Sequence, residues 1–173
     1  AIEYNIEAQL NDDFSVDLEV DATYKGLISG LLREWIEAKP KHEVENFLLE
    51  MIGEELFNNV KLDTMNFLNP DNITEPLKGK YNLRSEKYSD NVLDIYFMNI
   101  PFLNPVNGSV VFSSDERMNT LDLNKVTEIA PTREVMLLKF PKGKRLYKLP
   151  DNVKIENEYY YYELTFEKAK DAI

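Results

Sequence analysis

Residues 2 to 10 alternate strictly between apolar and polar. Ile2, Tyr4, Ile6, Ala8 and Leu10 fall on one side, and Glu3, Asn5, Glu7 and Gln9 on the other. After the polar stretch Asn11-Asp12-Asp13 the alternation resumes. Phe14, Val16, Leu18, Val20, Ala22 and Tyr24 face in, while Ser15, Asp17, Glu19, Asp21 and Thr23 face out. Period-2 patterning on both sides of Asn/Asp turn chemistry predicts an antiparallel hairpin with one buried face and one acidic, wet face.

The period then changes. Leu27, Ile28, Leu31, Leu32, Trp35 and Ile36 recur at helical spacing, so 26–38 reads as an amphipathic helix, ended by Pro40. Val44, Phe47, Leu48, Met51, Ile52 and Leu56 form a second stripe, which predicts a helix over 41–57. So short a connection makes the two helices neighbours.

From residue 58 the chain returns to strand patterns, at 59–68, 80–88, 92–98, 108–113, 133–140, 144–149, 152–156 and 159–166. Between them lie breakers: 69–72 (NPDN), 89–91 (SDN), 104–108 (NPVNG) and 141–143 (PKG). Segment 114–131 reads as a long loop. The expected class is α+β, predominantly antiparallel β and sandwich-like, with an N-terminal β-hairpin and a two-helix insertion. Residues 1–173 are read as one β-rich module. A division into a hairpin plus helical hairpin (1–57) and a β-sandwich (58–173) stays open.

Composition narrows the function. With 173 residues, 43% of them hydrophobic, the chain can bury a core. The formal charge of −11 disfavours nucleic acid and anionic membranes. The basic run Lys139, Lys142, Lys144, Arg145 and Lys148, interleaved with Phe140 and Tyr147, is read as a solvated strand face. No apolar stretch reaches the ~18 residues of a membrane-spanning helix. There is no cysteine, which rules out disulfides, Cys-ligated metals and a cysteine nucleophile. The opening AIEYNIEAQL carries no Met, basic region or apolar leader, and points to an excised or processed chain.

Candidate chemistry is sparse. The one histidine, His42, is read as an exposed helix-start residue, because no nucleophile or second imidazole completes a site. The acidic pairs Asp12–Asp13, Glu54–Glu55 and Asp115–Glu116 read as surface rather than as a glycosidase pair. Calcium at Asp12/Asp13, or around Asn69, Asp71 and Asn72, lacks EF-hand spacing. No phosphate-binding glycine motif or nucleophile elbow occurs. No cofactor and no metal are expected. Sequons stand at Asn72-Ile73-Thr74 and Asn107-Gly108-Ser109, both in expected loops. In the four consecutive tyrosines 159–162, strand alternation puts Tyr160 and Tyr162 with Leu164 and Phe166 on the apolar face. Tyr159 and Tyr161 are left as the candidate ligand-binding pair.

Three stretches carry a family resemblance: LNDDFSVDLEVDATYKGLISGLLRE (10–34), PTREVMLLKFP (131–141) and YKLPDNVKIENEYYYYELTFE (147–167). Their order resembles the C-terminal module, of unknown function, that follows a transglutaminase-like core in secreted or periplasmic bacterial proteins. The resemblance implies a β-rich accessory module at a periplasmic or extracellular location, with a neighbouring domain of the same polypeptide as its partner. That core works through a Cys-His-Asp triad, which a chain without cysteine cannot supply, and no site residue carries over. The expected function is therefore a non-catalytic accessory or interaction module. The alternative is a carbohydrate-binding β-sandwich using tyrosine faces.

Overall fold

A computed structural model describes residues 1–52, 60–86, 88–92, 95–98, 103, 132–144, 146–158 and 161–169. Strand β1 (Ile2–Leu10) pairs antiparallel with β2 (Val16–Tyr24), from Ile2 opposite Tyr24 to Leu10 opposite Val16. This register sets every inward apolar residue of one strand beside one of the other, as the alternation requires. The turn differs in detail from its reading. Phe14 and Ser15 lie outside β2, with Phe14 at φ 67° and Ser15 buried. The Asp13 carboxylate accepts from the Ser15 N–H at 3.0 Å and hydroxyl at 2.6 Å. The Asn11 N–H donates to the Ser15 carbonyl at 2.9 Å. These bonds hold Phe14 in a left-handed conformation that costs a residue with a Cβ about 1 kcal/mol.

Gly26, at φ 69°, makes the sharp exit from β2 into helix α1 (Leu27–Ala38). Helix α2 (Lys41–Ile52) follows after Pro40, and the Trp35 and Phe47 rings stack between the two at 4.5 Å. The end expected for α2 at residue 57 lies outside the described residues. Strand β3 (Val60–Phe67) and strand β4 (Leu77–Ser85) come next, paired antiparallel with a bulge between Leu62 and Thr64. β4 inserts beside β2, and β7 (Thr132–Lys139) lies along β1. The sheet order is β3-β4-β2-β1-β7.

Three of these four pairings are antiparallel. The β1–β7 pair is parallel, so the sheet is mixed. The class is α+β and mostly antiparallel β, with the expected N-terminal hairpin. Strands from both sides of residue 58 interleave in this one sheet. Its inner face carries the core, from Ile2, Tyr4 and Ile6 through Val20, Tyr24 and Tyr81. Leu32 of α1 and Leu48 of α2 complete it from above.

Three buried tyrosines meet there. The Tyr24 and Tyr81 hydroxyls are 3.0 Å apart, and the Tyr4 and Tyr24 rings meet edge to face at 6.2 Å. Burial pushes all three phenols well above their ordinary value. Gly79 makes room for this cluster, because a Cβ there would sit 2.5 Å from Cζ of Tyr81.

Two small hairpins accompany the sheet: β5 (Ser89–Val92) with β6 (Ile95–Met98), and β8 (Val153–Glu156) with β9 (Tyr161–Leu164). Two expectations fail here. Ser89-Asp90-Asn91 belongs to β5 rather than to a turn, since pairing with β6 overrides weak local propensity. Segment 144–149 forms no strand among its described residues, and no described strand pairs with it. The strand expected at 108–113 and the loop 114–131 lie outside the described residues.

Candidate functional site

The wet face of the five-stranded sheet is built by register. Glu7 of β1 stands directly opposite Glu19 of β2, and Asn5 opposite Asp21. Directly opposed side chains have Cβ atoms about 5 Å apart, where like charges destabilise a sheet. β7 adds Val135 beside Asn5 and Leu137 beside Glu7. Together these six residues border an open concavity of about 250 Å³. Val135 is 46% and Leu137 43% exposed. The Lys139 ammonium reaches Glu7, and Lys80 reaches Asp21 at 3.1 Å. Glu19 has no cation partner among the described residues.

Sequence reasoning put the acids on this face, but the Glu7–Glu19 opposition needed the register. One signal for β7 was visible: Val135-Met136-Leu137-Leu138 is apolar on both faces, the mark of a strand covered on both sides. Met136 and Leu138 pack on the core, while Val135 and Leu137 face out.

Beyond β7 the chain leaves the sheet. Tyr147 is 94% exposed and Leu146 is exposed beside it. Lys142 and Lys148 have no ion-pair partner among the described residues. Of the basic run, Lys142, Lys144 and Lys148 are exposed on an irregular segment rather than a strand face, whereas Lys139 ends β7 and pairs with Glu7. Arg145 lies outside the described residues.

In the β8–β9 hairpin, Ile155 stands opposite Tyr162 and Val153 opposite Leu164, which gives one apolar face. Val153, Ile155 and Tyr162 are all exposed. Tyr162 was expected inside. At 37% exposure it is not, because no core layer covers this hairpin among the described residues. Tyr161, on the opposite face, is 58% exposed. Lys154 lies 5.4 Å over its ring and its hydroxyl donates to Glu163, which raises the phenol's pKa. Tyr159 and Tyr160 lie outside the described residues, so the pairing of Tyr159 with Tyr161 has no geometry.

The remaining candidates serve local structure. His42 is exposed at the start of α2. Asp13 accepts from Ser15, and that bond, with Arg84 nearby, holds its carboxyl below the usual carboxylate value. Asn72 Oδ1 accepts from the Thr74 N–H and hydroxyl, and Asn69 ties its own loop to Pro76 and Lys78. The cation of this loop is Arg33. Its guanidinium donates to the carbonyls of Asn69, Pro70, Asn72 and Glu75 at 2.7–3.1 Å, and to the Ser29 hydroxyl. Glu54–Glu55, Asp115–Glu116 and Asn107 lie outside the described residues. No cluster of potential metal ligands occurs among the described residues, and none of their helices is long and apolar enough to cross a membrane. Comparison with family models, curated proteins and solved structures found no match.

Proposed function

We propose that this chain is a non-catalytic interaction module of a larger secreted or periplasmic bacterial protein, working beside a transglutaminase-like domain of the same polypeptide. The open face of the β8–β9 hairpin carries this reading. A lone two-stranded hairpin is marginal in water, and four-residue strands make it more so. Val153, Ile155, Tyr162 and Leu164 stabilise it only where another surface covers them. The non-catalytic half of the reading draws on a cysteine-free sequence with one exposed histidine.

The test is to prepare the upstream domain of the parent protein and this chain as separate polypeptides and titrate one into the other by calorimetry. Binding should appear together with slowed amide exchange across 153–164. Val153→Ser with Ile155→Ser should abolish both. A parent reading frame without such a domain, or a titration with no heat and no protection of 153–164, sinks the proposal.

A further inference from the structure

The loop between β3 and β4 displays a motif that neither the core nor the β8–β9 hairpin uses. Asn72-Ile73-Thr74 is a sequon, and all three residues are exposed, Ile73 at 82%. The loop keeps its shape through other groups. The Arg33 guanidinium donates to the backbone carbonyls of Asn69, Pro70, Asn72 and Glu75, and the Asn69 side chain bonds the backbone of Pro76 and Lys78. The side chains of Asn72 and Thr74 bond each other. Asn72 Oδ1 accepts from the Thr74 N–H at 3.2 Å and from its hydroxyl at 2.7 Å. Asn72 Nδ2 donates to no group among the described residues. No proline stands at 73 or 75, where its fixed φ would stiffen the triplet.

We propose that Asn72 is an acceptor for N-linked glycosylation in the folded chain, with a lipid-diphosphate-linked oligosaccharide as the donor. The step forms a bond from Asn72 Nδ2 to the anomeric carbon of the sugar and breaks the bond from that carbon to a diphosphate oxygen. The electron pair of the broken bond leaves with the lipid diphosphate, and one Nδ2 proton passes to a base of the transferase. A carboxamide nitrogen is a poor nucleophile, because its lone pair is shared with the carbonyl. Activation is therefore the transferase's task, and this chain supplies access and a loop that tolerates the product. Tolerance follows from which atom reacts. Transfer to Nδ2 leaves Oδ1 in place, so both bonds from Thr74 survive, as does the bond from Arg33 to the Asn72 carbonyl. The glycan then stands beside Ile73 on an exposed loop, where bulk costs no packing. Modification in the cell rests on the secretory location proposed above, whereas the acceptor itself is testable on the purified chain, so the two readings fail separately.

The purified, folded chain is incubated with a transferase that accepts Asn-x-Ser/Thr and with its lipid-diphosphate-linked oligosaccharide. Trypsin cuts after Lys61 and Lys78, so peptide 62–78 reports Asn72 separately from the sequon at 107–109. Mass spectrometry should find one glycan on 62–78. Asn72→Asp keeps an oxygen for the Thr74 bonds but has no Nδ2, and should lose the glycan while far-UV circular dichroism stays unchanged. Thr74→Val should lose it too, and Thr74→Ser should keep it, since the hydroxyl is what the triplet requires. The modified chain should melt no lower than the unmodified one. A synthetic peptide of residues 62–78 serves as the comparison. A glycan on the peptide but not on the folded chain would show that the fold denies access and would overturn the proposal. No glycan on either would overturn it at the triplet itself. A glycan on 62–78 that persists in Asn72→Asp, or a modified chain that melts lower, would overturn it as well.

Discussion

Replacing Arg33 with Met should remove about 3 kcal/mol of stability. Arg33 reaches from α1 to five acceptors, four of them carbonyls of the loop between β3 and β4. The bonds to Asn72 and Glu75 are exposed, and water replaces them cheaply, at about 0.5 kcal/mol or less each. Those to Pro70, Asn69 and Ser29 are part-buried, at about 1 kcal/mol each for a charged donor. Methionine keeps the apolar stem, so the change isolates the guanidinium. For a chain of this length, 3 kcal/mol lowers the melting temperature by about 6–12 °C. Lysine can point one ammonium at the loop but cannot reproduce the planar fork, so Arg33→Lys should recover less than half of the loss. Urea denaturation gives the free energy, and amide exchange locates it. The Leu77 N–H, which donates to the Ser29 hydroxyl at 3.2 Å, should exchange faster in Arg33→Met. A loss under about 0.5 kcal/mol, or full recovery by lysine, would show that the loop holds itself through Asn69 and Asn72 and that the guanidinium is incidental.

Tyr81→Phe removes the Tyr81 hydroxyl from the buried Tyr24 hydroxyl and should cost about 1–2 kcal/mol; a double-mutant cycle with Tyr24→Phe should show the pair to be coupled. Gly79→Ala places a methyl against the Tyr81 ring and should cost about 1–3 kcal/mol, with a changed near-UV circular dichroism spectrum. At high pH the phenols of Tyr4, Tyr24 and Tyr81 are raised in the folded chain, so their contribution is complete below the unfolded value of 10.0 and declines as pH rises above it. Phenolate absorbance should therefore show these three ionising together with unfolding, and ionisation without unfolding would contradict it. At low pH the sign reverses. Glu3, lowered by its hydrogen bond to Lys25, and Glu86, lowered by Lys61, contribute above their unfolded value of 4.5. That contribution is lost as pH falls through their folded values, which acid titration of Lys25→Met should show as a reduced slope.

The alternation in 2–24 determined a hairpin, its inward residues and its acidic outer face, because a half-buried strand admits no other period. The two helical stripes determined α1 and α2 for the same reason. The sequence also placed Tyr4 and Tyr24 inside, and marked β7 as apolar on both sides. Register, neighbours and coverage were decided only by tertiary structure. Nothing local says that β4 inserts beside β2, that β7 runs parallel to β1, or that Glu7 faces Glu19. Those are long-range pairings, set by which strands the helices and loops bring together. Tyr162 shows the same limit. Its face was read from Leu164 and Phe166, and Ile155 stands opposite it, but an apolar face is buried only if another layer lies on it. Strand period fixes which way a side chain points, and the rest of the fold, or a second molecule, fixes what it meets.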